Sequence, residues 1–368
     1  MQEESKTRIC SWLPGFLKIF PNSTENRLIA LLILFGSMAN PVSAEIRVVT
    51  TLPVLADIAR SVGGNYVTVQ SLAKGTEDPH YVIPRPSLMA AVSDADLFIE
   101  VGMDLELWTE RVLEGAGNDK VQPGRPGHVY ASDGVQRLEV PDRLTRAEGD
   151  IHPFGNPHQW MNPLNGILFA GNIARGLQRV DPAHSAEYDS NLAGFRANLY
   201  VKLFGDDLVK TYGGEQLAEK LRRGILFDFL QSEKVDAKLG GWMGQARILR
   251  GTKVVTYHKA WSYLAQAFDM DVINTVEEKP GIPPSAEHRD KLLGQIKETH
   301  VRILIMAPFE PRRIPDQIAA LTGARVVVLP LDVTGVLAAT NYFSMFDVIL
   351  KELARAGSDT APATPAPK

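Results

Sequence analysis

From residue 45 onward, short apolar runs alternate with longer segments whose apolar residues recur every three or four positions. Ile46 to Thr50 reads as a buried strand, and PVLADIARSVGG behind it as a helix stopped at Gly63-Gly64. YVTVQSLA alternates β-branched and polar residues like a second strand, and RPSLMAAVSDADLFIEVG predicts a helix followed by a strand from Leu97 to Val101. The same grammar returns later. KVVTYHKAWSYLAQAFDMDV reads as strand then helix, while PSAEHRDKLLGQIKETHVRILIMAPF and IPDQIAALTGARVVVLPLD each read as helix then strand. Such alternation predicts the α/β class, with two lobes that each hold a mostly parallel sheet flanked by helices. Between them, behind Pro182, Tyr188, Leu192, Phe195, Leu199 and Leu203 recur at helical spacing and predict one long, rigid joining helix. The expected boundaries are a first lobe over 45–181, a linking helix over 182–212 and a second lobe over 213–357. Residues 213–250 add helical sequence to the second lobe, with no role legible in it.

The ends change the picture. Arg8, Lys18 and Arg27 precede the apolar run Leu28 to Phe35, which is too short to span a bilayer, and Val42-Ser43-Ala44 offers small residues for cleavage. The expectation is an export signal over 1–44, cut after Ala44, with an uncut anchor as the alternative. The single cysteine, Cys10, would leave with it, so the mature chain would have no disulfide, no thiolate ligand and no lipid-bearing cysteine. The tail 358–368 is small, polar and proline-rich, and is expected to be disordered. A net charge of -4 supplies no basic footprint for nucleic acid.

Candidate chemistry concentrates in histidines. In GTEDPHYVIPRPS, residues 75–87, three prolines surround His80 directly after a strand. Proline suits neither helix interior nor central strand, so this is a stiff loop. His158 in HPFGNPHQWMNP also follows a proline, and His258 ends the strand KVVTYH. Ligands of open α/β sheets bind beyond the carboxyl ends of strands. Each histidine alone reads as an ordinary loop residue, but the three share a context, and imidazole is the commonest metal ligand. Asp332, just past VVVLPL, reads locally as a helix N-cap or Asx-turn as well as a ligand. Asp78 and Glu77 are candidates for orienting an imidazole. His184, His288 and His300 read as solvated, and His128 lies in a glycine- and proline-rich stretch. HExxH, paired CxxC, EF-hand, phosphate-loop and GxSxG patterns are absent.

GTEDPHYVIPRPS, GNPHQWMNP, VVTYHKAWSYLAQAF and EEKPGIPPS together resemble the zinc- and manganese-binding solute-binding proteins of bacterial ABC importers. The resemblance runs from VVTTLPVLADIARSVGGN to YFSMFDVIL. It implies two α/β lobes joined by a long helix, metal held in the cleft, and His80, His158, His258 and Asp332 as ligands. It also implies a monomeric periplasmic carrier of zinc, with manganese as the alternative, serving a permease and its ATPase. Two departures stand out. Only His152 occupies the place of a histidine-rich loop, and WMNP puts Asn162 where an acid is usual. Because imidazole must be neutral to ligate, affinity should fall below about pH 6.5. The rival from another class is a zinc hydrolase or hydratase with a three-histidine site, and a third reading is a metal-storing or adhesive surface protein.

Overall fold

The computed structural model describes residues 45–141, 152–279 and 281–358. The expected export segment and the tail beyond Ser358 lie outside the described residues.

In the first lobe, β1 (Ile46–Thr50) leads into α1 (Pro53–Gly63), which has proline in its first turn and ends at Gly64 with φ 58°. Then come β2 (Val67–Ser71), α2 (Pro86–Ser93), β3 (Leu97–Glu100), α3 (Thr109–Ala116) and β4 (His128–Tyr130). All pairings are parallel, in the order β2-β1-β3-β4. Helix α4 (Pro163–Val180) packs back on this sheet and starts at Asn162, whose Oδ1 accepts from Leu164 N. Asn162 is thus a helix cap, a role its amide fills as well as an acid would.

The connector is α5 (Ser185–Phe204), preceded by a short 3-10 turn at Pro182–His184. Tyr188, Phe195, Leu199 and Leu203 are buried along its inner stripe. The expected helix over 182–212 is interrupted at Gly205, where φ is 83°, and α6 (Asp206–Tyr212) resumes in a new direction. The helical sequence that follows forms α7 (Gly214–Arg222), α8 (Leu226–Ser232) and α9 (Gly241–Gln245).

The second lobe repeats the first: β5 (Lys253–Thr256), α10 (Ser262–Phe268), β6 (Asp271–Thr275), α11 (Ala286–Thr299), β7 (Ile303–Met306), α12 (Arg313–Thr322), β8 (Arg325–Val328) and α13 (Tyr342–Ser358). Its order, β6-β5-β7-β8, is again all parallel. Strands β4 and β6 were not legible in the apolar pattern.

The larger apolar core runs through both lobes, from Val48 and Phe98 through Trp160 and Leu199 to Trp261, Val327 and Tyr342, and a smaller one around Val255, Leu292 and Leu304 lies within the second lobe. Polar links pin the lobes on one side of the cleft. Asp332 Oδ1 accepts from Val54 N at the start of α1 (2.7 Å), and Asp57 Oδ2, on α1, accepts from Tyr342 N at the start of α13 (2.8 Å). Trp160 Nε1 donates to Leu331 O (2.7 Å), and the Tyr342 hydroxyl donates to Trp160 O (3.1 Å).

Candidate metal centre

His80 and His158 come from loops of the first lobe, and His258 from the end of β5. A ligand nitrogen from each lies within 4.8 Å of the other two. Their ring centroids make a near-equilateral triangle, 5.1, 5.4 and 5.5 Å on a side. The rings line a cavity of ≈ 100 Å³ that Glu277 and Glu310 also bound. That volume suits an ion with a few waters and is far below the roughly 300 Å³ or more of organic-ligand pockets.

The first two rings are set by one local device used twice. In Asp78-Pro79-His80, Asp78 Oδ1 accepts from His80 N (3.0 Å) and from His80 Nδ1 (2.8 Å). In Asn156-Pro157-His158, Asn156 Oδ1 accepts from His158 N (3.0 Å) and His158 Nδ1 (3.0 Å). The proline fixes the backbone between acceptor and ring, so each tripeptide is a closed Asx-type turn that aims its imidazole. His258 is aimed differently. Its Nδ1 donates to Glu277 Oε2 (2.8 Å), which arrives from beyond β6 and also accepts from Gly281 N (3.2 Å).

An oxygen acceptor on Nδ1 requires the proton there, which leaves the lone pair on Nε2. All three rings are therefore in the tautomer that ligates through Nε2, with the oxygen partner behind each raising its basicity. His158 Nε2 is fully buried and makes no hydrogen bond, a costly state for an acceptor unless a cation meets it. Burial pushes the His158 imidazole well below its ordinary value, helped by the neighbouring rings of His80, His258 and His152. Burial works against the Asp78 carboxylate too, but its bonds to His80 outweigh that and hold it below the usual range. Glu310 goes the other way: burial, with Glu277 and Asp78 nearby, pushes it up to about 9 despite a bond from Ala307 N.

His152 brings its Nε2 within 3.1 Å of His80 Nε2. Since that His80 nitrogen is the acceptor, His152 is the donor, and it must give way when a cation takes the lone pair.

Asp332 does not join this group. Its Oδ1 accepts from Val54 N and Val333 N, both at 2.7 Å. Burial pushes its carboxyl up to about 8. Through Oδ1 it caps the start of α1 in the other lobe and closes its own turn at Val333. Glu77 closes its own turn, accepting from Lys74 N at 2.9 Å. Gly75, at the head of the same loop, lies against the Val333 carbonyl and Gly335 nitrogen, where a Cβ would sit 2.0 and 2.6 Å away. No other residue allows that approach without moving backbone.

Among the other histidines, His128 is buried in β4 against Glu100 (3.0 Å) and the Val121 carbonyl. His184 bonds Asp181 and stacks on Tyr66, ring centroids 4.0 Å apart. Both brace structure away from the cleft. Asn156, Glu277 and Glu310 escaped the sequence reading. Glu277 stands in EEKPGIPPS but shows no local link to an imidazole, while Asn156 could have been found by setting NPH beside DPH.

A family model described as "Zinc-uptake complex component A periplasmic" matches residues 48–201 and 235–356. The manganese ABC transporter substrate-binding lipoprotein PsaA of Streptococcus pneumoniae is 32% identical over 168 residues, 45% of this chain and 51% of that protein. The iron-binding protein YfeA of Yersinia pestis is 29% identical over 168 residues, 46% of this chain and 50% of its own length. The chain thus spans about half the length of the curated relatives it matches. Among solved structures, a crystal structure of ZnuA superposes with a TM-score of 0.63 at 23% identity, covering 85% of this chain and all of that one.

Proposed function

The chain belongs to the family of periplasmic zinc-uptake components, and on that premise we propose that it is an exported carrier. It binds one divalent metal ion, zinc, and hands it to an ABC importer made of a permease and its ATPase. The observation that supports this most is the convergence of three Nε2 lone pairs, two from one lobe and one from the other, on a cavity sized for an ion.

His80, His158 and His258 are the ligands in this reading, and water or Asp332 takes the fourth place. Three imidazoles suit tetrahedral zinc, whereas manganese favours oxygen donors. Zinc–nitrogen bonds of about 2.0–2.1 Å in a tetrahedron put ligand nitrogens roughly 3.3 Å apart. The three nitrogens already lie within 4.8 Å of one another, so only a small approach of the rings is needed. The site is complete within one chain, which fits a monomer. The family's description fits delivery to the periplasm after cleavage at Ala44.

A hydrolytic reading finds less support. Glu277 is committed to His258, and Glu310 Oε2 accepts from Ala307 N. The relative PsaA is named as a substrate-binding protein rather than an enzyme.

The test is metal analysis with competitive titration of zinc against manganese. One zinc per chain, held more tightly than manganese and lost in His258→Ala, is expected. A manganese preference overturns the choice of ion, and no stoichiometric metal overturns the site.

A further inference from the structure

Asn156 does more than aim a ring. Its Oδ1 faces a backbone N–H, an obligatory donor, so the orientation of the amide is fixed by its surroundings. The Nδ2 hydrogens therefore point the other way, to Lys259 O (2.6 Å) and Glu139 Oε2 (2.9 Å), with Ser262 Oγ at 3.4 Å. Lys259 is the residue after His258. A single buried amide thus runs from the imidazole of a first-lobe histidine to the backbone beside the second-lobe histidine. Asp78, in the same place of the other tripeptide, is a carboxylate and has no hydrogen to donate.

The contact is wider than one side chain. Glu139 Oε1 accepts from Ser262 Oγ (2.7 Å), Leu138 N donates to the Tyr263 hydroxyl (3.0 Å), and that hydroxyl donates to Gln136 O (3.1 Å). Residues 136–139 of the first lobe are latched to the start of α10, a second set of links beside those of Asp332 and Trp160. Glu139 adopts φ 52° to do so, a left-handed conformation that a non-glycine residue holds only under local constraint.

We propose that Asn156 is a positioning residue that couples the aim of the His158 imidazole to this latch, so that capturing the ion and docking the lobes on the latch side are one event. The inference rests on the three imidazoles being the metal site. Asn156 is bonded at both ends, so a movement of His258 toward or away from His158 carries Lys259 and the latch with it, and a loosened latch lets His258 drift from the other two rings.

Asn156→Asp separates the two halves of the device. It keeps an oxygen for His158 but loses the donor to Lys259 O and sets a carboxylate against Glu139. Ser262→Ala weakens the latch without touching any imidazole. Two readouts are needed: zinc affinity by chelator competition, and hydrogen exchange of the Leu138 amide and the 260–264 amides in metal-free protein. Faster exchange in both variants is expected, with zinc affinity lower by about tenfold or more in Asn156→Asp and by about threefold in Ser262→Ala. Glu139→Gln added to Asn156→Asp returns a donor to the contact and should recover part of both losses. Parent-like affinity in Ser262→Ala and Asn156→Asp despite a loosened latch overturns the coupling, and parent-like exchange in both overturns the latch. A parent chain that binds no zinc overturns the metal reading and the coupling with it. That failure is distinct, because the variants would still exchange faster.

Discussion

The two lobes share a strand order and present imidazoles to the same cavity, yet they hold them by opposite means. The first lobe relies on sequence neighbours: Asp78 and Asn156 each sit two residues before their histidine, across a proline. The second lobe relies on the fold, since Glu277 lies 19 residues beyond His258 and reaches it only once β5 and β6 are paired. A local brace is in place as soon as its loop is, whereas a long-range brace is as firm as the sheet carrying it. On the carrier reading, two preorganised rings and one fold-dependent ring divide the tasks of holding an ion and letting it go.

The largest test of that contrast removes a ring outright. Zinc sites are worth about 10–16 kcal/mol in small zinc-binding peptides, so one ligand of three or four carries roughly 3–4 kcal/mol. His158→Ala should then weaken zinc binding by about a thousandfold in a competition titration. Next come the braces, where outer partners typically cost about 10–100-fold in affinity. Glu277→Ala should fall near the upper end of that range, because nothing local fixes the His258 ring. Asp78→Ala should fall near the lower end, because Pro79 still holds the backbone. Equal losses would erase the distinction drawn here.

A smaller effect belongs to Asp332. Its carboxyl is pushed up to about 8 in the folded chain and ionises near 4 when unfolded. Its contribution to stability is thus full below about pH 4 and is lost as pH rises through about 8. Asp332→Asn should flatten that part of the urea midpoint against pH while leaving zinc affinity within about twofold; a large loss would make Asp332 a ligand after all. Smallest is Pro79→Ala, worth about 0.4–1 kcal/mol through the unfolded chain, with zinc affinity down a few-fold as the turn loosens.

The apolar pattern revealed both lobes because central strands of a parallel sheet are unbroken apolar runs. It missed β4 and β6, each one of the two edge strands of its sheet: HVY is too short to show a run, and DVINT is only partly buried. The break at Gly205 is a matter of left-handed backbone that one glycine in a helical stretch does not announce. In the site, the repeated Asx-Pro-His could be read directly, whereas Glu277, Glu310 and the reach of Asn156 to Lys259 could not, since each exists only across folded distance. Asp332 shows the same limit from the other side. Its neighbours suggested a cap, but the helix nitrogen it caps, Val54 N, lies 278 residues earlier in the chain.

The apolar core that runs unbroken through both lobes has a consequence for how the molecule comes apart. Only the smaller cluster around Val255, Leu292 and Leu304 is confined to the second lobe, so the main core should be lost from both lobes in one cooperative transition. An ion bound in the cleft then stabilises that shared core by an amount set by its free concentration relative to its dissociation constant. If the chain is the carrier proposed, its resistance to proteolysis becomes a gauge of whether it holds an ion.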